Sequence, residues 1–188
     1  MAHLLPLYRR SPAFLKSDLA LLRRYIMKNP YRESFGEIPF GSTPISEIES
    51  MAAAFRWKGR FLELGSGLGR ACFWLAKGRK MQVRGVDQSW AFIERAQSVA
   101  AGDPSIEFQL GDLLDADFTW PDVIYFYSTA FSDEIIEALV PKLSQLRPGA
   151  QVITISAPLK SPDLYLFKRL KVRFPWGATF AYCHKRLA

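Results

Sequence analysis

Apolar and polar positions along this chain repeat with two different periods. Near the start, Leu19, Leu22 and Ile26 share one helical face, which predicts a helix over about 17–28 with its basic residues toward solvent. A loop punctuated by Gly and Pro, 35–44, follows. It ends in a helix start: Thr43 can cap with Pro44 at the first helical position, or Ser46 can cap with Glu49 closing a capping box. That helix is expected to reach about Trp57. Short apolar runs and helical stretches then take turns. Strands are predicted over 60–64, 82–86, 106–110, 122–127 and 151–156, and helices over about 70–77, 90–100 and 132–146, the last capped by Ser132. The run from Val123 to Tyr127 has no polar break, as expected of a strand covered on both faces. Repeated strand–helix–strand units predict an α/β fold with a mostly parallel sheet flanked by helices. The tail changes period. Arg169, Lys171 and Arg173 alternate with Leu170, Val172 and Phe174, the mark of a half-buried strand with one charged face. Pro175-Trp176-Gly177 turns the chain, and Thr179–His184 is rich in strand formers, so an antiparallel hairpin is expected at the sheet edge.

Composition fits one domain. The chain has 188 residues, 49% of them hydrophobic and 14% aromatic, which excludes disorder as the main state. No run of eighteen apolar residues occurs. Cys72, Cys183, His3 and His184 fit neither a metal-ligand spacing nor a disulfide framework, so reduced thiols and a cytoplasmic location are expected. The three cations without an acid in the first seventeen residues faintly resemble an organelle transit peptide. The formal net charge is +7, and it is split. Residues 1–35 hold seven cations and two acids, and residues 157–188 hold seven cations and one acid, while 36–156 is net acidic. The division predicted is an N-terminal extension and loop, 1–42, and a domain, 43–188.

The candidate chemistry lies in Glu63-Leu64-Gly65-Ser66-Gly67-Leu68-Gly69, where a strand ends, turns on glycines and enters a helix. Glycines allow the tight turn and let a ligand approach the backbone, and the helix start offers free N–H groups. The dinucleotide fingerprint places its third glycine where this chain has Arg70, and no P-loop Lys-Ser/Thr follows. Asp87 closes the second strand, where a carboxylate can accept both ribose hydroxyls. Gly111-Asp112-Leu113 closes the third, with a polar and an apolar group suited to the edge and face of an adenine. Glu63 lies inside a buried strand and needs a partner there, so it either supports a cofactor or joins a buried ion pair.

This order, Glu63-x-Gly65-x-Gly67-x-Gly69, then Asp87, then Gly111-Asp112, resembles the class I S-adenosylmethionine-dependent methyltransferases over about 43–188. The resemblance implies a Rossmann-like seven-stranded sheet whose last two strands are the C-terminal hairpin. It also implies S-adenosyl-L-methionine as cofactor and S-adenosyl-L-homocysteine as product. Gly65, Ser66, Gly67 and Gly69 would meet the methionyl part, Asp87 the ribose, and Asp112 and Leu113 the adenine, with Glu63 and Gln88 as further cofactor-binding residues. Several segments further resemble the Dot1-like and seven-β-strand protein-lysine methyltransferases: Phe35-Gly-Glu-Ile, Leu64–Gly69, Gly111-Asp-Leu-Leu114, Ser128-Thr-Ala-Phe131 and Trp176 with Tyr182. The paired Asn of that family after the fourth strand is replaced by Ser128 and Thr129, and Phe35 stands where it has Tyr.

By that resemblance, Thr129, Phe131, Tyr127 and Trp176 are the candidate catalytic residues, Phe35 and Tyr182 further walls of an amine channel, and Glu37 a cofactor-positioning loop residue. Methyl transfer from a sulfonium is an in-line displacement, so the protein mainly aligns the reactants and excludes water. An apolar aromatic channel delivers a lysine neutral by desolvating it. The expected partner is a protein with an acidic docking surface. RNA, a small molecule, or a cofactor-binding role without catalysis are the alternatives.

Overall fold

The computed structural model describes residues 43–188. The predicted helix over 17–28, His3, Phe35 and Glu37 lie outside the described residues.

Gly59 and Gly65, both with left-handed φ, bracket the first strand. The elements in chain order are α1 (Ile45–Ala54), β1 (Arg60–Leu64), α2 (Arg70–Arg79), β2 (Gln82–Asp87), α3 (Trp90–Ala100), β3 (Ile106–Leu110), β4 (Val123–Phe126), α4 (Asp133–Lys142), β5 (Gln151–Ile155), β6 (Leu164–Phe174) and β7 (Gly177–Arg186). They form one seven-stranded sheet in the order β3-β2-β1-β4-β5-β7-β6. The first five strands are parallel; β7 is antiparallel to both β5 and β6. The chain winds from β1 outward to β3 and then returns to β4 on the other side of β1. The crevice at the carboxyl ends of β1 and β4 is therefore the topological switch point, where open α/β sheets bind ligands.

Each parallel strand is apolar on both faces because helices cover both. Phe61, Tyr125 and Ile153 face a core with Ile48 and Met51 of α1 and Leu75 of α2, while Leu62, Ile124 and Val152 face another with Leu139 of α4. Among the described residues no helix is long and apolar enough to cross a membrane.

Several local expectations are corrected. The capping box of Ser46 and Glu49 does not form, and Thr43 does not cap. Thr43 Oγ1 bonds the Tyr125 hydroxyl instead. Glu49 accepts from Trp74 Nε1 at 2.7 Å and pairs with Arg79 at 2.7 Å, which ties α1 to α2. The helix ends before Trp57 because Arg56 turns left-handed (φ 59°) and sends the Trp57 ring into the core. Asp122 lies before β4, held by the Arg60 N–H at 2.8 Å. Ser132 precedes α4 without a side-chain cap bond, and α4 passes into a 3-10 turn at Leu143. His184 is buried, because β7 lies inside the sheet. Its Nε2 accepts from Leu159 N–H at 3.1 Å, so the proton is on Nδ1, which faces Val152 O at 3.3 Å.

Candidate active site

The glycine turn is built as the sequence predicts. Gly65, Gly67 and Gly69 have φ of 75°, 52° and 72°. Two of these glycines also meet close neighbours. A Cβ at Gly65 would sit 3.0 Å from the Phe131 ring, and one at Gly69 would sit 2.1 Å from Phe108. The turn is thus pressed between the β4 loop above and β3 beneath. Its N–H groups stay near the strand ends: Gly65 and Ser66 both donate to Val86 O at 2.9 Å.

Asp87 joins the two loops beside β1 and β2. Its carboxylate accepts from Gly67 N–H at 2.7 Å and from Ser89 N–H at 2.8 Å. Burial holds its pKa above the ordinary carboxylate range, against the two N–H bonds that lower it. The neighbouring Ser66 and Ser89 hydroxyls are buried and have no hydrogen-bond partner among the described residues. Buried polar atoms are normally paired, and the only other such orphan among the described residues is Trp57 Nε1.

Glu63 is fully inside the sheet, next in register to Gly85 and Tyr125. No cation pairs with it among the described residues. Its partner is the Cys72 thiol, which donates to Oε2 at 3.3 Å. Burial pushes Glu63 up to about 8, with the Asp87 charge adding to the effect. The Cys72 thiol is itself pushed up by burial. Glu63 therefore carries its proton at neutral pH.

Asp112 is exposed and caps the short turn Leu113–Asp115, accepting from Leu114 N–H at 2.8 Å. Leu113 is half-buried against the α4-side core, and Gln88 is exposed. Both segments stand at the carboxyl ends of β2 and β3.

The candidate catalytic residues separate into two groups. Phe131 packs on Phe126 with ring centroids 6.2 Å apart and covers Gly65. Tyr127 packs on Phe174 at 5.2 Å, Phe174 stacks on Trp176 at 5.3 Å, and Trp176 Nε1 donates to the Tyr127 hydroxyl. Between the groups lies the turn Ser128–Ala130, whose Thr129 is exposed. The Ser128 hydroxyl bonds the Ile155 backbone and fixes this turn to β5. Tyr182 does not join either group. It sits between Ala181 and Cys183, which face the α1-side core, so strand alternation turns it to the opposite face, where it packs on Phe180 at 6.3 Å.

Sequence reasoning missed Phe174, Ser89 and the Cys72–Glu63 contact. The position of Phe174 immediately before a two-residue turn, and the Asp87-x-Ser89 spacing of an Asx turn, are signals that could have found the first two. Nothing local marks Cys72.

Residues 61–149 match the model of a family described as a methyltransferase domain. No curated protein matches the sequence. Among solved structures, the chain is similar to an RNA methyltransferase from Salinibacter ruber in complex with S-adenosyl-L-homocysteine, with 22% identity, 78% of this chain and 94% of that chain covered, and a TM-score of 0.66. It is similar to geranyl diphosphate C-methyltransferase from Streptomyces coelicolor, with 13% identity, 76% of each chain covered and a TM-score of 0.62. It is also similar to TrmN from Thermus thermophilus, with 16% identity, a TM-score of 0.63, and 74% of this chain but 48% of that chain covered. These likenesses concern the fold. The glycine turn, Asp87 and Asp112 all lie within the matched segment, the seven-stranded sheet is the Rossmann-like methyltransferase fold, and S-adenosylmethionine is the cofactor consistent with both.

Proposed function

We propose that residues 43–188 form a catalytic domain that methylates a lysine of a protein substrate, with residues 1–42 as an extension to it. The observation that carries this reading is the aromatic arrangement on either side of Ser128–Ala130: Phe131 over the glycine turn, and Tyr127, Phe174 and Trp176 packed together at the hairpin tip. Apolar rings beside the methyl donor suit an amine that must arrive uncharged, because desolvation lowers its pKa.

The residues present fit the cofactor. Asp87 would take the ribose hydroxyls on the acceptor capacity its two N–H bonds leave free, Gln88 lying beside it. Asp112 and Leu113 would hold the adenine. Gly65, Ser66, Gly67 and Gly69 would line the methionyl part, with Glu63 beneath them, and Glu37 would act from the preceding loop. Bound there, S-adenosylmethionine supplies an electrophilic methyl group. The chain's own work is alignment and exclusion of water. Phe131 shields the glycine turn, Thr129 offers an exposed hydroxyl to the incoming amine, and Tyr127 and Trp176 hold one wall through their mutual hydrogen bond. No covalent step is needed.

Transfer of radiolabelled methyl from S-adenosylmethionine into a lysate, followed by separate protease and RNase digestion, tests the acceptor class. Label released by protease and recovered as methyl-lysine supports the reading. A second reading, methylation of RNA, is favoured by the cation-rich hairpin. Label that resists protease and disappears with RNase would establish it in place of the first.

A further inference from the structure

The outermost strand, β6, carries its cations and its open backbone on the same residues. β6 ends the sheet order, and among the described residues nothing pairs with its outer side. On β7, Phe180 O accepts from Ser156 N–H at 2.8 Å, so its backbone groups point toward β5. Phe180 is the register partner of Lys171. In an antiparallel pair the residues opposite each other alternate between bonded and non-bonded. Lys171 therefore does not bond Phe180, and its N–H and C=O point outward. The same alternation turns the backbone groups of Arg169 and Arg173 outward. Their side chains are exposed, whereas Val172 and Phe174 between and after them are buried. None of the ion pairs among the described residues uses Arg169, Lys171 or Arg173.

We propose that the outer edge of β6, from Arg169 to Arg173, docks an acidic extended segment of the protein substrate as an added strand and leads it to the active site. The proposal rests on the protein-substrate reading above. Strand addition draws affinity from main-chain hydrogen bonds and selectivity from alternate side chains, and here those alternate side chains are three cations. The track also has a direction. β6 runs antiparallel to β7, which runs antiparallel to β5, so β6 finishes at the end of the sheet where β1 leads into the glycine turn. Two residues beyond its end, Trp176 donates to Tyr127 beside Ser128–Ala130. Upstream, the irregularity between Leu166 and Lys168 interrupts the edge, so the regular ladder begins at about Lys168.

A single-stranded nucleic acid suits this surface less well. Two of its exposed rings are already capped by the chain's own cations: Arg169 lies over Phe180 at 4.9 Å and Lys185 over Phe167 at 3.7 Å. Bases need open ring faces to stack on. Cations on an edge strand also keep it from pairing with a second copy of the chain. That protective role predicts no affinity for an acidic peptide.

The test uses the full chain and a fluorescein-labelled peptide of about ten residues alternating Glu and Thr, an extended acidic probe. Anisotropy should show binding, weakened about tenfold in the triple variant Arg169→Gln/Lys171→Gln/Arg173→Gln. Lys171→Pro removes one outward N–H without touching the β7 ladder, and it should bind several-fold more weakly than Lys171→Ala. In the unmodified protein, the peptide should slow hydrogen exchange at the amides of Arg169, Lys171 and Arg173. Absence of peptide binding, equal affinity of the Pro and Ala variants, unchanged exchange at those amides, or stronger binding of a single-stranded RNA of the same length would each overturn the proposal. S-adenosylhomocysteine binding by the same preparation reports separately on the methyltransferase reading. A chain that binds it but not the peptide loses the docking track alone.

Discussion

The parallel half of the sheet and its C-terminal hairpin solve opposite problems. In the parallel half, β1 and β4 are buried on both faces, and the polar groups that remain are few and specific: Glu63 on a thiol, Asp87 on two backbone amides, two orphan serine hydroxyls. In the hairpin, β6 buries only Leu164, Val172 and Phe174 and leaves cations and rings in solvent. A region that must hold one small ligand in a fixed pose needs pre-formed backbone and little charge. A region that must capture a large flexible partner needs reach, charge and an open ladder. On the proposed reading, the first takes cofactor chemistry and the second acceptor selection, and each assignment can be broken on its own.

The largest effect is expected at Gly69. Any side chain there is strained by the left-handed φ, and its Cβ would overlap the Phe108 ring, itself packed on Phe73 at 5.3 Å. Gly69→Ala should cost about 2–3 kcal/mol in denaturant unfolding and abolish cofactor binding. A variant of unchanged stability would mean that the turn is not pressed on β3. Next, Asp87→Ala should weaken S-adenosylhomocysteine more than about tenfold by calorimetry, because it removes the proposed ribose partner and unpins Gly67 and Ser89. Unchanged affinity would place the ribose elsewhere. Phe131→Ala should lower kcat several-fold with little change in cofactor affinity; the reverse split would make Phe131 a cofactor wall.

Glu63 gives a smaller, pH-dependent signal. Its folded pKa of about 8 lies above its ordinary value near 4.5, so the native state holds the proton longer than the unfolded chain. Stability therefore falls as pH rises from about 4.5 to 8. Asp87, also raised, acts in the same sense. His184, lowered by burial, acts in the opposite sense and loses stability as pH falls below about 6.5. Glu63→Gln should flatten the decline above pH 6.5 in urea unfolding. A slope equal to that of the parent chain would show that Glu63 is ionised in the native state. The smallest effect belongs to the hairpin: Arg169→Gln/Lys171→Gln/Arg173→Gln should alter stability by less than about 0.5 kcal/mol and leave cofactor affinity as it was. A loss of cofactor affinity there would end the division between the two regions.

Strands β1 and β3 and helix α3 follow the pattern to the residue, because Gly59, Gly65, Gly111 and the Asp103-Pro104 turn bound them locally. The glycine turn was legible for the same reason, since three left-handed positions within five residues leave little choice. What escaped depends on partners distant in sequence. Ser46 and Glu49 read as a capping box until Arg79 and Trp74 claim the carboxylate. Thr43 reads as a cap until Tyr125, from a strand far along the chain, takes its hydroxyl. Alternation alone puts Cys183 inside and His184 outside. It does not reveal that β7 inserts between β5 and β6 and that Leu159 folds over its second face. The same insertion turns Tyr182 away from Tyr127 and Trp176. The aromatic grouping at the hairpin tip is thus partly legible, in Trp176, and partly a product of topology, in Phe174.

The most direct test of the account is calorimetric titration of the full chain with S-adenosylhomocysteine, beside Asp87→Ala. The account predicts saturable one-to-one binding that weakens more than about tenfold in the variant. No heat of binding at millimolar ligand, in a chain shown to be folded, would contradict it.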